Sequence, residues 1–245
     1  MPEHPSPSTA SAAEKAGQSE NSPVPSVWLI VLHWRGIDVT RACLSSLNGL
    51  TYKNYRTLLV DNGSTDNDGE VLGKEFPQVE VLRLADNLGF SGGSNRGIAA
   101  CLDRQADFIW LLNNDTTVQP ESLELLVAEA MQQPKAALLG AAIVESQGDG
   151  AQQIVASAGK IDFARAKTSV VKSAPVSQAV SCEWLHGANL LMRSTAIRQI
   201  GMFDDRYYLY FEDTELCHRA RQAGWLCIFV PQARITHIGN ASTIG

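Results

Sequence analysis

No apolar run in these 245 residues approaches the roughly 20 that a membrane-spanning helix needs. A basic stripe is missing as well. With 20 Lys and Arg against 26 Asp and Glu, the formal net charge is -6, which argues against a nucleic-acid partner, whose phosphate backbone calls for clustered cations. A single nucleotide remains open, because it needs only a small local site. The five cysteines, Cys43, Cys101, Cys182, Cys217 and Cys227, are odd in number, widely spaced and without a C-x-x-C pair. Neither a disulfide framework nor a zinc knuckle follows from that spacing, and reduced thiols in a cytosolic protein are the expectation. No targeting signal is recognisable either. Met1 to Ser26 is Pro, Ser, Ala, Glu and Gln with no apolar or basic region, and such a stretch buries too little apolar surface to offset its ordering entropy. A disordered tail is expected over 1–26.

What is present suffices for one domain over 27–245: 44% of residues are hydrophobic and 19% charged. Val27 to Leu32 is a continuous apolar run of strand length, as suits a strand buried on both faces of a parallel sheet. Asp38 to Leu50 carries Val39, Cys43, Leu44 and Leu47 on one helical face. Strands are then predicted over 56–60, 79–84 and 108–112, with helices reaching Glu75, over 94–102 and over 121–131 behind Pro120. Four successive βα units predict a doubly wound, mostly parallel sheet flanked by helices. Ala137 to Val144 reads as a further strand, 145–181 as strands and loops of a smaller mixed region, and 194–200 as a helix. A loop rich in aromatics and acids follows over 203–213, then a helix to Ala223 and two strands, 226–230 and 234–237.

In an open parallel sheet, ligands bind beyond the carboxyl ends of the strands. The four predicted strands end at His33-Trp34, Asp61, Asp86-Asn87 and Asn113-Asn114-Asp115, and so deliver polar groups to one rim. Each piece also has a plain structural reading. The hexamer 61–66 serves as a turn and cap for the next helix, or fixes a carboxylate that reads an imide N–H or a ribose hydroxyl. The run 87–97 lacks the G-x-G-x-x-G spacing; its glycines suit a tight strand-to-helix turn or a backbone that approaches a phosphate at a helix N-terminus. Asp115 ends a strand as a turn residue, or supplies the carboxylate that holds Mg2+ or Mn2+ with phosphate oxygens, an ion able to act as a Lewis acid on a leaving diphosphate. Asp213, within the aromatic and acidic run 207–215, is a helix cap or a base for an acceptor hydroxyl. His237 is a surface histidine or a metal ligand, and one residue does not separate the two.

Taken together, these segments resemble glycosyltransferase family 2, with the GT-A fold, and more narrowly its rhamnosyltransferase-like branch. The resemblance rests on 59–66, 87–97, 110–116 and 201–217, which come in the family's order and span the chain from about Val27 to His237. It implies an inverting transfer of one sugar from a nucleotide-diphosphate donor, dTDP-rhamnose or a UDP-sugar, to a glycan or lipid-linked acceptor. By position, Asp61 would contact the donor's base, with the backbone near His33 beside it. Asn87, Gly93, Asn95, Asn113 and Asn114 would shape the nucleotide-sugar site, within a donor-binding half over 27–135. Asp115, last in the D-x-D-type motif, would hold the divalent cation, completed by His237. Asp213 would be the base, and Trp184, His186, Gly187 and Glu212 would lie on the acceptor side, within 136–245. The first D-x-D position is Asn113, so the metal would rest on Asp115, His237 and the donor. The Q-x-x-R-W signature of processive synthases is not matched by 221–225, which favours transfer of single sugars. The chain stops soon after His237, as expected of a short or C-terminally truncated member. A cytoplasmic protein with peripheral contact at the inner membrane face is implied by the same resemblance.

Two other readings fit the residues less well. A sugar-nucleotide nucleotidyltransferase should carry a basic, glycine-rich loop after the first strand, where His33-Trp34-Arg35-Gly36 offers one basic residue. A non-catalytic sugar-nucleotide or glycan-binding protein would need no base, whereas both Asp115 and Asp213 are present.

Overall fold

In the computed structural model the first apolar run, Val27–His33, is β1, buried along its length except for half-buried Leu32. The structure describes residues 23–146, 152–156, 158–162, 164–165, 167–170 and 178–237. Of the tail expected over 1–26, residues 1–22 lie outside these. Residues 24–26 are tied down: Tyr52 Oη and Asn54 Nδ2 donate to the carbonyls of Pro25 and Val24.

β1 has parallel neighbours on both sides, β2 (Tyr55–Asp61) and β4 (Phe108–Asn113), and β3 (Val79–Arg83) lies outside β2. A strand so enclosed has helices over both faces, which is why its sequence does not alternate. Its residues feed two cores in turn. Leu29 and Val31 pack with Leu44 and Leu47 of α1 (Ile37–Leu47) and with Leu123 and Leu126 of α4 (Ser122–Gln132). Trp28 and Ile30 pack with Ile98 and Cys101 of α3 (Gly89–Asp103) on the other face. α2 (Asp68–Glu75) links β2 to β3, and the short β5 (Thr116–Val118) follows β4.

The second half adds β6 (Ala136–Ser146), β7 (Gln152–Ala156), β8 (Ala158–Asp162), β9 (Lys167–Val170), β10 (Val180–Cys182), β11 (Trp184–Leu185) and β12 (Asn189–Arg193). Then come α5 (Ser194–Ile200), α6 (Glu212–Gln222) and β13 (Leu226–His237). The main sheet runs β10-β13-β6-β12-β4-β1-β2-β3. β3, β2, β1, β4, β6 and β13 point one way, while β12 and β10 oppose them. The mostly parallel α/β sheet read from the sequence is therefore present. β11, β8 and β9 form the small second sheet, within the region read as mixed.

Three boundaries differ from expectation. α3 starts at Gly89 rather than Ser94, so most of the glycine-rich run is helix: Gly89, at φ 72°, makes the turn into it, and Gly93 and Gly97 serve packing. A Cβ on Gly97 would stand 2.9 Å from Val60 and 3.0 Å from Ile30, so only glycine lets α3 lie this close to the sheet. The two final strands are one, β13, because both halves keep pairing with β6 across a register shift between Val230 and Arg234. Pro231, which has no N–H to give the ladder, sits in that irregular stretch. Finally, α6 begins at Glu212, which places Asp213 in its first turn rather than in the loop before it.

Candidate active site

The carboxyl ends of β1 and β4 open onto a cavity of about 620 Å³. Asn113, Asn114 and Asp115 reach it from the end of β4, and His237 from the end of β13. Trp184, His186 and Gly187 enter from β11 and the turn after it, and Glu212 and Asp213 from the start of α6. Asn87 lines it as well, beside Asn62 and Trp34.

Asp115 Oδ1 and His237 Nε2 meet at 3.1 Å. Asn113 Nδ2 lies 3.4 Å from the same imidazole nitrogen, and its Oδ1 is buried without a hydrogen-bond partner among the described residues. Asn114 Nδ2 donates to the Arg35 carbonyl and to Thr40 Oγ1, both at 2.9 Å, which ties the end of β4 to the turn after β1. Among the described residues no cluster of three or more His, Cys, Asp or Glu is arranged to hold a metal. A hard divalent cation that takes most of its oxygens from phosphate and water asks for only one or two carboxylates. Asp115, His237 and the unpartnered Asn113 oxygen fit that demand.

Asp213 is fixed by four hydrogen bonds. Its Oδ1 accepts from Trp184 Nε1 at 3.2 Å and from the Thr214 N–H and Oγ1 at 2.6 and 3.1 Å, while Oδ2 accepts from the Gly187 N–H at 2.8 Å. The neighbouring Glu212 is 6% exposed, and its Oε2 has no hydrogen-bond partner among the described residues. Burial, with a smaller push from the Asp213 charge, raises its pKa to about 7. Such a group is neutral in both folded and unfolded chains well below 4.5, and the folded state then bears the cost of ionising it as pH climbs through about 7. Stability should therefore fall by on the order of 2–3 kcal/mol from pH 5 to pH 8.5 on this account. Urea unfolding of wild type and Glu212→Gln at both pH values checks this, the variant gaining on wild type at the higher pH. A difference between them that does not change with pH would show an ordinary carboxyl.

His186 Nδ1 accepts the Ala188 N–H at 3.0 Å. Its burial depresses the imidazole pKa, and the His237 charge acts the same way, while Asp213 and Asp115 oppose both.

Four residues expected at the nucleotide-sugar site do not line this cavity. His33 is completely buried, with Nδ1 2.8 Å from Thr40 Oγ1 and Nε2 3.3 Å from Asp68 Oδ2; burial lowers its pKa against the pull of Asp68 and Asp61. Asp61 is equally buried. Its Oδ1 caps the Ser64 N–H, and its Oδ2 lacks a hydrogen bond among the described residues, with Arg83 Nε 3.7 Å away. A Cβ on Gly93 would come within 2.8 Å of Asn62 and Leu32, so this glycine seats α3 behind the cavity wall. Asn95 clamps the loop before α6: it donates to the Phe203 carbonyl and to Asp205 Oδ1, and accepts the Phe203 N–H.

Other lining residues carried no individual assignment in the sequence, although the aromatic run at 207–211 suits stacking on a sugar ring. Asn62 stitches β2 to α3, donating to Asn87 Oδ1 and the Gly89 carbonyl and accepting the Leu88 N–H. Its place in the polar hexamer was the available signal. Trp34 lies at one edge with the Arg35 guanidinium 4.2 Å over its ring. Tyr208, Tyr210 and Phe211, exposed by 60%, 64% and 55%, form an aromatic rim. Tyr210 and Phe211 both hold positive φ, 72° and 68°, a conformation uncommon for such side chains. Thr168 of β9 closes another side, and nothing in the sequence around it announced that position.

The family model for glycosyl transferase family 2 matches residues 28–173, and that for glycosyl transferase family group 2 matches 108–245. N-acetylglucosaminyl-diphospho-decaprenol L-rhamnosyltransferase of Mycobacterium tuberculosis is 32% identical over 222 residues, 82% of this chain and 72% of that protein. The pre-mycofactocin glycosyltransferase of the same organism is 30% identical over 203 residues, 80% of this chain but 39% of its own length. The crystal structure of GalNAc-T7 with UDP, GalNAc and Mn2+ shares the fold, with a TM-score of 0.72 at 16% identity over 89% of this chain and 44% of that one.

Proposed function

The chain belongs to glycosyl transferase family 2, and from that premise we propose that it moves one sugar from a nucleotide-diphosphate donor to a hydroxyl of a glycan or lipid-linked acceptor, with inversion. The observation that carries this reading is the Asp213 carboxylate, held by four donors in the wall of the cavity that Asp115 and His237 also line.

Asp213 takes the proton from the acceptor hydroxyl as its oxygen attacks the anomeric carbon, and the nucleoside diphosphate departs on the opposite side. The Trp184 and Gly187 bonds orient the carboxylate for that task. Asp115 and His237, with the Asn113 amide oxygen beside them, would hold a divalent cation, which when bound neutralises charge on the leaving diphosphate. Asn62 and Asn87 shape the nucleotide side of the cavity, and Asn114 keeps the β4 end in place against α1. Asp61 is buried outside this cavity, its Oδ1 on the Ser64 N–H and its Oδ2 3.7 Å from Arg83 Nε, so the contact with the donor's base expected of it requires the wall over it to open. The aromatic rim excludes water and stacks on the sugar ring. Likeness to a rhamnosyltransferase named for a diphospho-decaprenol supports a rhamnose donor and a lipid-linked acceptor; dTDP as the donor's nucleotide and peripheral contact at the cytoplasmic face belong to the same proposal. No helix among the described residues is long and apolar enough to cross a membrane.

Calorimetric titration with UDP, dTDP and GDP, with and without Mn2+, tests the reading. One nucleoside diphosphate is expected to bind in a Mn2+-dependent manner, and Asp115→Ala should weaken that binding about 10–100-fold. If no diphosphate binds under either condition, the chain is not a glycosyltransferase of this kind.

A further inference from the structure

His186 stands between the two chemical ends of the cavity. Its ring meets His237 edge-on, with centroids 5.8 Å apart, and lies 5.9 Å from Trp184. His237 is paired with Asp115, and Trp184 Nε1 donates to Asp213. Two histidines and an aspartate invite reading as a three-ligand metal centre, but the hydrogen bonding of His186 argues against it.

The Ala188 backbone N–H points at His186 Nδ1 over 3.0 Å. A backbone amide nitrogen only donates, so Nδ1 must present its lone pair, and the proton of the neutral ring then sits on Nε2. A protonated Nε2 has no lone pair to give a metal. It is a hydrogen-bond donor instead, and it finds no protein acceptor among the described residues. The ring lines the cavity, so this donor serves what enters. Its neighbour His237, with Asp115, would hold the cation that shares oxygens with the donor's diphosphate. An anionic oxygen there is the partner that gains most from a fixed neutral N–H.

We propose that His186, locked by Ala188 as the Nε2–H tautomer, donates a hydrogen bond to a β-phosphoryl oxygen of the nucleotide-sugar donor and is not a ligand of the metal. This rests on the glycosyltransferase reading above. The bond steadies the diphosphate as it leaves.

The test is calorimetric titration of wild type, His186→Ala and His186→Gln in Mn2+, using the nucleoside diphosphate that wild type binds and its monophosphate. His186→Ala should weaken the diphosphate about tenfold and leave the monophosphate within about twofold. His186→Gln, which keeps an N–H donor, should recover part of the loss. Equal losses for both nucleotides, or none for the diphosphate, overturn the proposal. Loss of Mn2+ dependence in His186→Ala would make His186 a ligand and overturn it as well. Absence of diphosphate binding by wild type is a different result, since it removes the glycosyltransferase reading itself. The tautomer has its own test, independent of any variant folding: long-range 1H–15N spectra of unliganded wild type should show Nε2 protonated, and a protonated Nδ1 on His186 refutes the assignment.

Discussion

Asp213→Asn is expected to lower turnover of sugar transfer by about 10²–10⁴-fold while leaving nucleoside-diphosphate affinity within about twofold. The substitution keeps size and shape and removes the capacity to take a proton. Four donors converge on this carboxylate, three on Oδ1 and one on Oδ2. Asparagine can keep its oxygen at the Oδ1 position and so retain the Trp184 and Thr214 bonds. Only the Gly187 N–H would then face an amide nitrogen, a mismatch worth about 1–3 kcal/mol of stability that does not touch the cation end of the cavity. Steady-state kinetics at saturating donor, beside calorimetry on the same variant, separates the two effects. Near wild-type turnover would move the base elsewhere, and Glu212, the next residue along the same wall, would be the candidate.

Trp110→Ala should cost about 3–5 kcal/mol, the range for removing a large aromatic from a core. Trp110 is fully buried in β4, with Leu29 of β1 and Leu191 of β12 as its register partners. Trp110→Phe is the informative companion. The indole Nε1 is buried with no hydrogen-bond partner among the described residues, and an unmatched buried N–H is itself a cost of about 1–3 kcal/mol. Phenylalanine loses part of the ring volume but also loses that donor, so its penalty should stay below about 1.5 kcal/mol. Urea midpoints at unchanged m-value measure both variants. A Phe variant as unstable as the Ala variant would mean that the indole N–H is matched, by water or otherwise.

The sequence was most readable where local chemistry and fold agree. The continuous apolar runs of β1 and β4, each ended by polar residues, announced buried parallel strands and the rim they feed. Asp115 and His237, far apart in the chain, could be paired only through a family resemblance, and the fold does bring them to 3.1 Å. Elsewhere tertiary packing overrode the local signal. The family resemblance places Gly93 and Asn95 at the nucleotide-sugar site, within a glycine-rich run that suits either a tight turn or a phosphate-binding helix start. Inside α3 they fall on faces turned to β1 and to the loop at Phe203, where they pack and clamp. The small sheet was illegible for another reason: its strands are short and its residues mostly polar and small, so no period of two emerges. Thr168, brought to the cavity by that sheet, could not have been found.

The position of β12 has a consequence for how this chain comes to exist. β12 lies between β4 and β6 and antiparallel to both, so β4 has no partner on that side until residues 189–193 arrive. The first 135 residues thus do not make an excisable nucleotide-binding piece. Released alone, they would carry the apolar β4 as an open edge, a template for strand-to-strand association. During synthesis the same edge stays bare while the intervening chain is made, since pairings between distant segments form late. Between the synthesis of Asn113 and that of Arg193, the edge of β4 is therefore where a second chain could pair.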